Sequence, residues 1–142
     1  MEVSAMKTLG LFFLAFCLPF SFAATPSPET APAEAAAGSW LMEVDQGQYD
    51  QSWKDSAQFF REHVSSTDWQ KAVSGVRAPF GKLLNRQKIS SKPATSLPGA
   101  PDGKYVVIQF KTSFQNKKDA VETVTPMLDK DGKWRVSGYY VR

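Results

Sequence analysis

The spacing of apolar residues changes character three times along the chain. Leu9 to Leu18 is an almost unbroken apolar run, continued by Phe20 and Phe22. From Ala24 to Gly38, Ala and Pro dominate and no hydrophobic period is present, which reads as a flexible linker. Its Ala-rich end, Glu34 to Ala37, has the composition of a helix start. Helical spacing follows over roughly forty residues, and the last forty alternate as strands do.

Three helices are expected in the helical part. The first carries Trp40, Leu41 and Val44 and stops at Gly47, a residue suited to a left-handed C-terminal position. The second takes Asp50 as N-cap and aligns Trp53, Ala57, Phe60 and Val64 in one stripe. The third opens at Thr67 with Gln70 three residues on, the capping-box spacing. It buries Trp69, Val73, Val76 and Phe80 before Pro79 and Gly81 end it.

Beyond Leu84 the pattern predicts strands. Arg86 to Ser96 is polar and holds Pro93, the composition of an edge strand. Leu97 to Gly103 is turn-rich, and Lys104 to Phe114 is a long strand with Val106, Ile108 and Phe110 on one face. A turn is expected over Asn116 to Asp119, then a strand over Ala120 to Leu128. Asp129 to Gly132 supplies hairpin chemistry before a last strand, Lys133 to Val141. Helices followed by an antiparallel meander make an α+β fold, with N-terminal helices packed on a curved antiparallel sheet of about four strands.

The first apolar run reads as an export signal. Met1 to Lys7 is a short charged start, Leu9 to Leu18 the apolar centre, and Ser21-Phe22-Ala23 the small-residue pattern for a cut near Ala23. Met6 is an alternative start. The run is shorter than the roughly 20 residues a spanning helix needs, so no stable membrane anchor is expected after cleavage. Bulky Phe16 before Cys17 argues against a lipid-modified cysteine. The chain is thus divided into a signal peptide (1–23), a linker (24–38) and one α+β domain (39–142), in a periplasmic or secreted protein. Removing the leader also removes the single cysteine, which leaves no disulfide and no thiolate chemistry.

Charge narrows the function classes only a little. The net charge is +3 over 142 residues, and the leader contributes nothing because Lys7 cancels Glu2. Lys and Arg are dispersed, so no stripe of positive charge suits nucleic acid. One histidine and no carboxylates at ligand spacing leave no metal site, and no motif implies a cofactor. His63, near the end of the second helix, suits the C-terminal dipole better than catalysis, since no nucleophile motif accompanies it.

Several segments of the second half resemble a known family. They are Gly103 to Phe110, Thr112-Ser113-Phe114 with Asn116-Lys117, Glu122 to Thr125, Asp131 to Val136, and Gly138-Tyr139-Tyr140. Together they resemble the bacterial exported family of unknown function DUF4019, over about Trp40 to Arg142. The resemblance implies a small cone-shaped domain of nuclear transport factor two-like or cystatin-like type, and no particular activity. Steroid-isomerase relatives of that superfold use a pocket carboxylate for acid/base chemistry.

Glu122 is the one acidic residue inside an expected strand, sharing a face with Val124 while Thr123 and Thr125 face the other way. Facing inward, it would sit buried near Tyr139 or Tyr140. The plainer expectation is a solvent-facing Glu122 paired across strands with Arg135 or Lys111. Trp53, Trp69, Trp134 and Tyr140 read first as core and second as walls of a ligand concavity, with Gln109 and Thr112 as polar contacts. The candidate pocket is therefore Trp53, Gln109, Thr112, Glu122, Trp134 and Tyr140. The function expected is a non-enzymatic module for a small ligand or an envelope protein. The alternatives are a steroid-isomerase-like enzyme centred on Glu122 and a structural domain that forms a homodimer through its sheet.

Overall fold

A computed structural model describes residues 26–142. The expected leader and its cut near Ala23 lie outside the described residues. Four helices come first: α1 (Ala31–Asp45), α2 (Tyr49–Lys54), α3 (Gln58–His63) and α4 (Ser66–Phe80). Four strands follow: β1 (Leu83–Ala94), β2 (Tyr105–Phe114), β3 (Lys117–Leu128) and β4 (Trp134–Val141). Each strand pairs antiparallel with the next, in the order β1-β2-β3-β4. This is the α+β arrangement the period change predicts.

The stretch expected as a linker is helical from Ala31 onward. Pro32 sits in the first turn of α1, where a missing N–H costs no hydrogen bond. Ala33 and Ala37 are fully buried in the core, so the small side chains that read as tether composition are what lets α1 lie close to the sheet.

The single second helix is two. Ala57, between α2 and α3, is extended with ψ 150°, and its N–H donates to the Val136 carbonyl of β4 at 2.8 Å. A tertiary hydrogen bond thus takes the place of one helical bond. Asp50 is not an N-cap but lies in the first turn of α2, paired with Lys54 and accepting from Ser66. The cap of α4 is Ser65 rather than Thr67, its hydroxyl accepting from the Asp68 N–H at 3.1 Å. Val76, expected inside, is 40% exposed.

In β1 the register slips at two points, and the unpaired residues Leu84 and Ile89 are turned out to solvent. The β2–β3 turn is the two residues Gln115 and Asn116, tighter than the expected Asn116 to Asp119. The β3–β4 hairpin turns at Asp129 to Gly132 as expected, with Gly132 at φ 81°.

The helices cover one sheet face. Val106, Ile108, Val124 and Val136 meet Leu41, Val44, Trp69 and Val73 there, and Trp40, Trp69 and Tyr139 stack with ring centroids 5.4 to 6.3 Å apart. The two indoles are anchored by serines: Trp40 Nε1 donates to the Ser52 carbonyl and to Ser56 Oγ, and Trp69 Nε1 to Ser52 Oγ. Among the described residues no helix is long and apolar enough to cross a membrane.

Candidate functional site

Ala120, Glu122 and Val124 alternate onto the helix-covered face of β3, and Glu122 is completely buried. An isolated carboxylate at such a place would be very costly, so its partners decide what it can do. Arg86, opposite Thr112 across β1 and β2, reaches it with two bonds, Nε to Oε1 at 2.7 Å and Nη2 to Oε2 at 3.2 Å. The Thr112 hydroxyl donates to Oε1 at 2.6 Å, and the Tyr139 hydroxyl of β4 donates to Oε2 at 2.6 Å. A carboxylate accepts about four hydrogen bonds, and Glu122 has four. It is not the solvent-facing residue of the plainer expectation. Arg135, the partner expected there, is held by Asp129 and Asp131 instead, while Lys111 is exposed.

The cluster continues toward the helices. Asp45 ends α1, where the helix dipole disfavours a carboxylate. Two guanidinium groups offset this. Arg86 donates to both Asp45 oxygens, at 2.6 and 2.9 Å, and Arg77 of α4 donates from Nη2 at 2.7 Å. Arg77 also lies 4.6 Å over the Phe114 ring, while its Nε and Nη1 are buried with no partner among the described residues. Two carboxylates and two guanidinium groups leave the cluster neutral.

Titration follows from these contacts. Burial alone would raise Asp45, but hydrogen bonds from Arg86 and Arg77 outweigh it and hold Asp45 below its ordinary value. Burial opposes the charge on Arg86 too, and the bonds to Asp45 and Glu122 more than reverse this, pushing it up. Tyr139 is pushed far above the usual phenol range, by burial first and then by the negative charge and hydrogen bond of Glu122. It stays a neutral donor at any physiological pH.

Of the six candidate residues, only Thr112 and Glu122 are brought together. Tyr139, not Tyr140, closes the site: Tyr140 pairs with Thr123, stands 62% exposed and lines a groove between α4 and β4 with Val73 and Val76. Gln109 is on the opposite sheet face, where its side chain donates to Thr123 at 3.4 Å. Trp53 packs against the core and donates Nε1 to the Val64 carbonyl at 2.7 Å. Asp45, Arg77 and Arg86 do not emerge from the sequence pattern. Asp45 ends an amphipathic helix, Arg77 stands among the apolar positions of α4, and Arg86 sits in a strand whose polarity reads as solvent exposure. His63 is exposed, with Nδ1 2.7 Å from the Phe59 carbonyl.

Open space lies elsewhere. A cleft of about 330 Å³ is walled by Ala94, Tyr105, Val106, Leu128 and Trp134, with Glu29 and Lys104 among its polar lining. Trp134 also borders a groove of about 240 Å³ with Trp40, Glu43, Asp55 and Lys133. Among the described residues no group of three or more His, Cys, Asp or Glu side chains could hold a metal ion.

The model of a family described as a protein of unknown function, DUF4019, matches residues 36–139. No curated protein matches the chain.

Proposed function

The chain belongs to the DUF4019 family, and from that premise we propose that it is a non-enzymatic binding module that takes a small, mainly apolar ligand in the cleft beside Trp134. The carrying observation is the contrast between an acid whose acceptor positions are all taken and an apolar-walled cleft beside Trp134. Every acceptor position of Glu122 is occupied, so acid/base work would first have to break a buried bond. The cleft offers about 330 Å³ bordered by Tyr105, Val106, Leu128 and Trp134, with one acidic and one basic side chain to orient a ligand. We read the module as exported, on the leader pattern of Met1 to Ala23, and as a cone of the nuclear transport factor two-like or cystatin-like kind.

Tryptophan fluorescence tests this reading. Titrating an environment-sensitive apolar dye into the full chain should change the emission saturably. Leu128→Arg, which puts a charge into the cleft wall, should abolish the change, while Val76→Arg in the groove beside α4 should leave it. Equal loss in both variants, or none in either, removes the cleft as the site.

A second reading, homodimer formation, is favoured by exposed Tyr140 on the edge strand β4 and exposed Val76 of α4 beside it. Light scattering at micromolar concentration decides it: a monomer removes that reading.

A further inference from the structure

We propose that the free edge of β1 takes an extended acidic peptide as an added strand, bonded at Ser91 and Pro93 and laying an apolar side chain into the cleft beside Trp134. This rests on the cleft reading above and gives its ligand a class. Pro93 pairs with Val106 across the ladder but has no N–H, so these two residues cannot exchange a pair of ladder bonds. The bonded pairs are their neighbours, Lys92 with Val107 and Ala94 with Tyr105. Alternation then turns Ser91 outward like Pro93, with the Ser91 N–H and the carbonyls of both residues on the side away from β2. β1 ends the strand order, and among the described residues no backbone group outside the ladder bonds to Ser91 or Pro93.

Most of this edge is blunted. Register slips at Leu84 and Ile89 bend it, and Arg86 and Lys88 turn their charges inward to Asp45, Glu122 and Glu34. Residues 90–94 form the longest stretch paired without a slip. That stretch ends at the cleft, since Pro93, Ala94 and Thr95 are also part of the cleft wall. A chain bonded there passes the cleft mouth and can lay a long apolar side chain against Tyr105, Val106 and Trp134.

Charge selects the occupant. Lys92 on the strand and Lys104 in the cleft wall are exposed and enter no ion pair among the described residues, while Glu29 is the acid of that wall. A second copy pairing β1 with β1 would bring Lys92 toward its own counterpart, whereas an acidic peptide brings it an opposite charge. In strand addition of this kind the main-chain bonds supply affinity and the alternate side chains supply selectivity.

The probe is a capped peptide of about six residues, alternating Glu and Val around a central Phe. Hydrogen exchange in the full chain, corrected for intrinsic rates, reads the contact at one group, the Ser91 amide. At about millimolar peptide its protection should rise about tenfold or more, while Lys92 and Ala94, already bonded to β2, change little. The same peptide should displace the apolar dye from the cleft. A peptide with Lys in place of Glu should bind about tenfold or more weakly at low salt, and equal binding overturns the acidic class. Ser91→Pro removes the outward N–H at a position of the kind Pro93 already fills. It should weaken the Glu peptide by about tenfold while keeping dye binding and the melting temperature. If that variant fails to fold, the wild-type exchange still decides. A Ser91 amide that stays unprotected while the dye still binds overturns the added strand and leaves the cleft reading standing. Ser91 protection with the dye left in place keeps the strand and removes the cleft as its anchor. Protection that grows with protein concentration in the absence of peptide puts a second copy on the edge and overturns the peptide.

Discussion

Two glutamates, one on a central strand and one on the first helix, meet opposite company. Glu122 comes from a central strand and is surrounded by donors: Arg86 twice, Thr112 and Tyr139. Glu43 comes from α1 and meets another carboxyl, with one oxygen buried and unpartnered. Burial acts in the same direction on both, disfavouring charge. What separates them is the sign of the nearest neighbour. Paired with guanidinium groups, an acid becomes a rigid fastening between strands and helices. Paired with another acid, it becomes a group that changes state near neutrality. Depth of burial alone therefore says little about whether a buried acid is structural or responsive.

The comparison breaks most visibly at Arg86. Arg86→Met should destabilise the domain by roughly 3–5 kcal/mol, because it strands Glu122 and leaves Asp45 with Arg77 alone. Urea unfolding measures this. A loss under about 1 kcal/mol would mean that the two carboxylates find other partners or protonate, and the cluster would not be the fastening its geometry implies.

Much of the fold is legible in the chain, and the reasons for the misses are specific. The change from helical to alternating spacing separates helices from strands, since each reflects which face a local segment buries. Alternation also puts Glu122 on the same face as Val124, which is where it lies. Which face points inward is a tertiary fact, and β1 conceals it, because Arg86 and Lys88 occupy inward-facing positions with polar side chains paired to Asp45, Glu122 and Glu34. The break at Ser56–Ala57 was equally hidden, since it depends on bonds to Trp40 and Val136, 16 and 79 residues away. The cap of α4 failed for a local reason. Ser65 and Thr67 both stand three residues before a polar side chain, and only the backbone chooses between them.

A pH profile sharpens the contrast, because the two regions pull in opposite directions. Asp45 is lowered from its ordinary 3.8, so its contribution is present above that value and is lost as pH falls through the lower folded one. Glu43 contributes below 4.5 and loses its contribution as pH rises toward about 7. Thermal unfolding should therefore show a maximum on the acidic side of neutrality, and Glu43→Gln should remove the decline on its alkaline side. A maximum well above pH 7 in the wild type would contradict the assignment at Glu43.

Trp134 tests whether the cleft wall is structural in the way the network is. It is half-buried, so Trp134→Ala should cost about half of the roughly 3–5 kcal/mol of a fully buried aromatic. A full-sized loss would make the cleft part of the core and weaken its reading as a ligand site. An unchanged melting temperature would leave it as surface. Tyr139→Phe is a smaller probe of the network itself. It keeps the ring against Trp40 and Trp69 and removes only the hydroxyl, leaving one Glu122 oxygen short of a donor, a loss of about 1–3 kcal/mol.

The smallest effect belongs to the acid with one of the larger shifts. Arg135 donates to Asp131, and with the Lys133 N–H this bonding pulls Asp131 down to about 2. Shift alone would place it beside Asp45 as a fastening. Solvent decides otherwise, since Asp131 sits at the exposed tip of the β3–β4 hairpin, where water screens the charge and holding two side chains together costs entropy. Its ring of partners also includes no buried group, and Arg135 keeps Asp129 if Asp131 is lost. Asp131→Asn should consequently leave the melting temperature within error of wild type, while removing a carboxyl titration near pH 2 from the NMR pH series. A clear drop in stability would show that exposure does not discount an ion pair in this hairpin, and the distinction drawn between Glu122 and Glu43 would then need more than burial and the sign of a neighbour to support it.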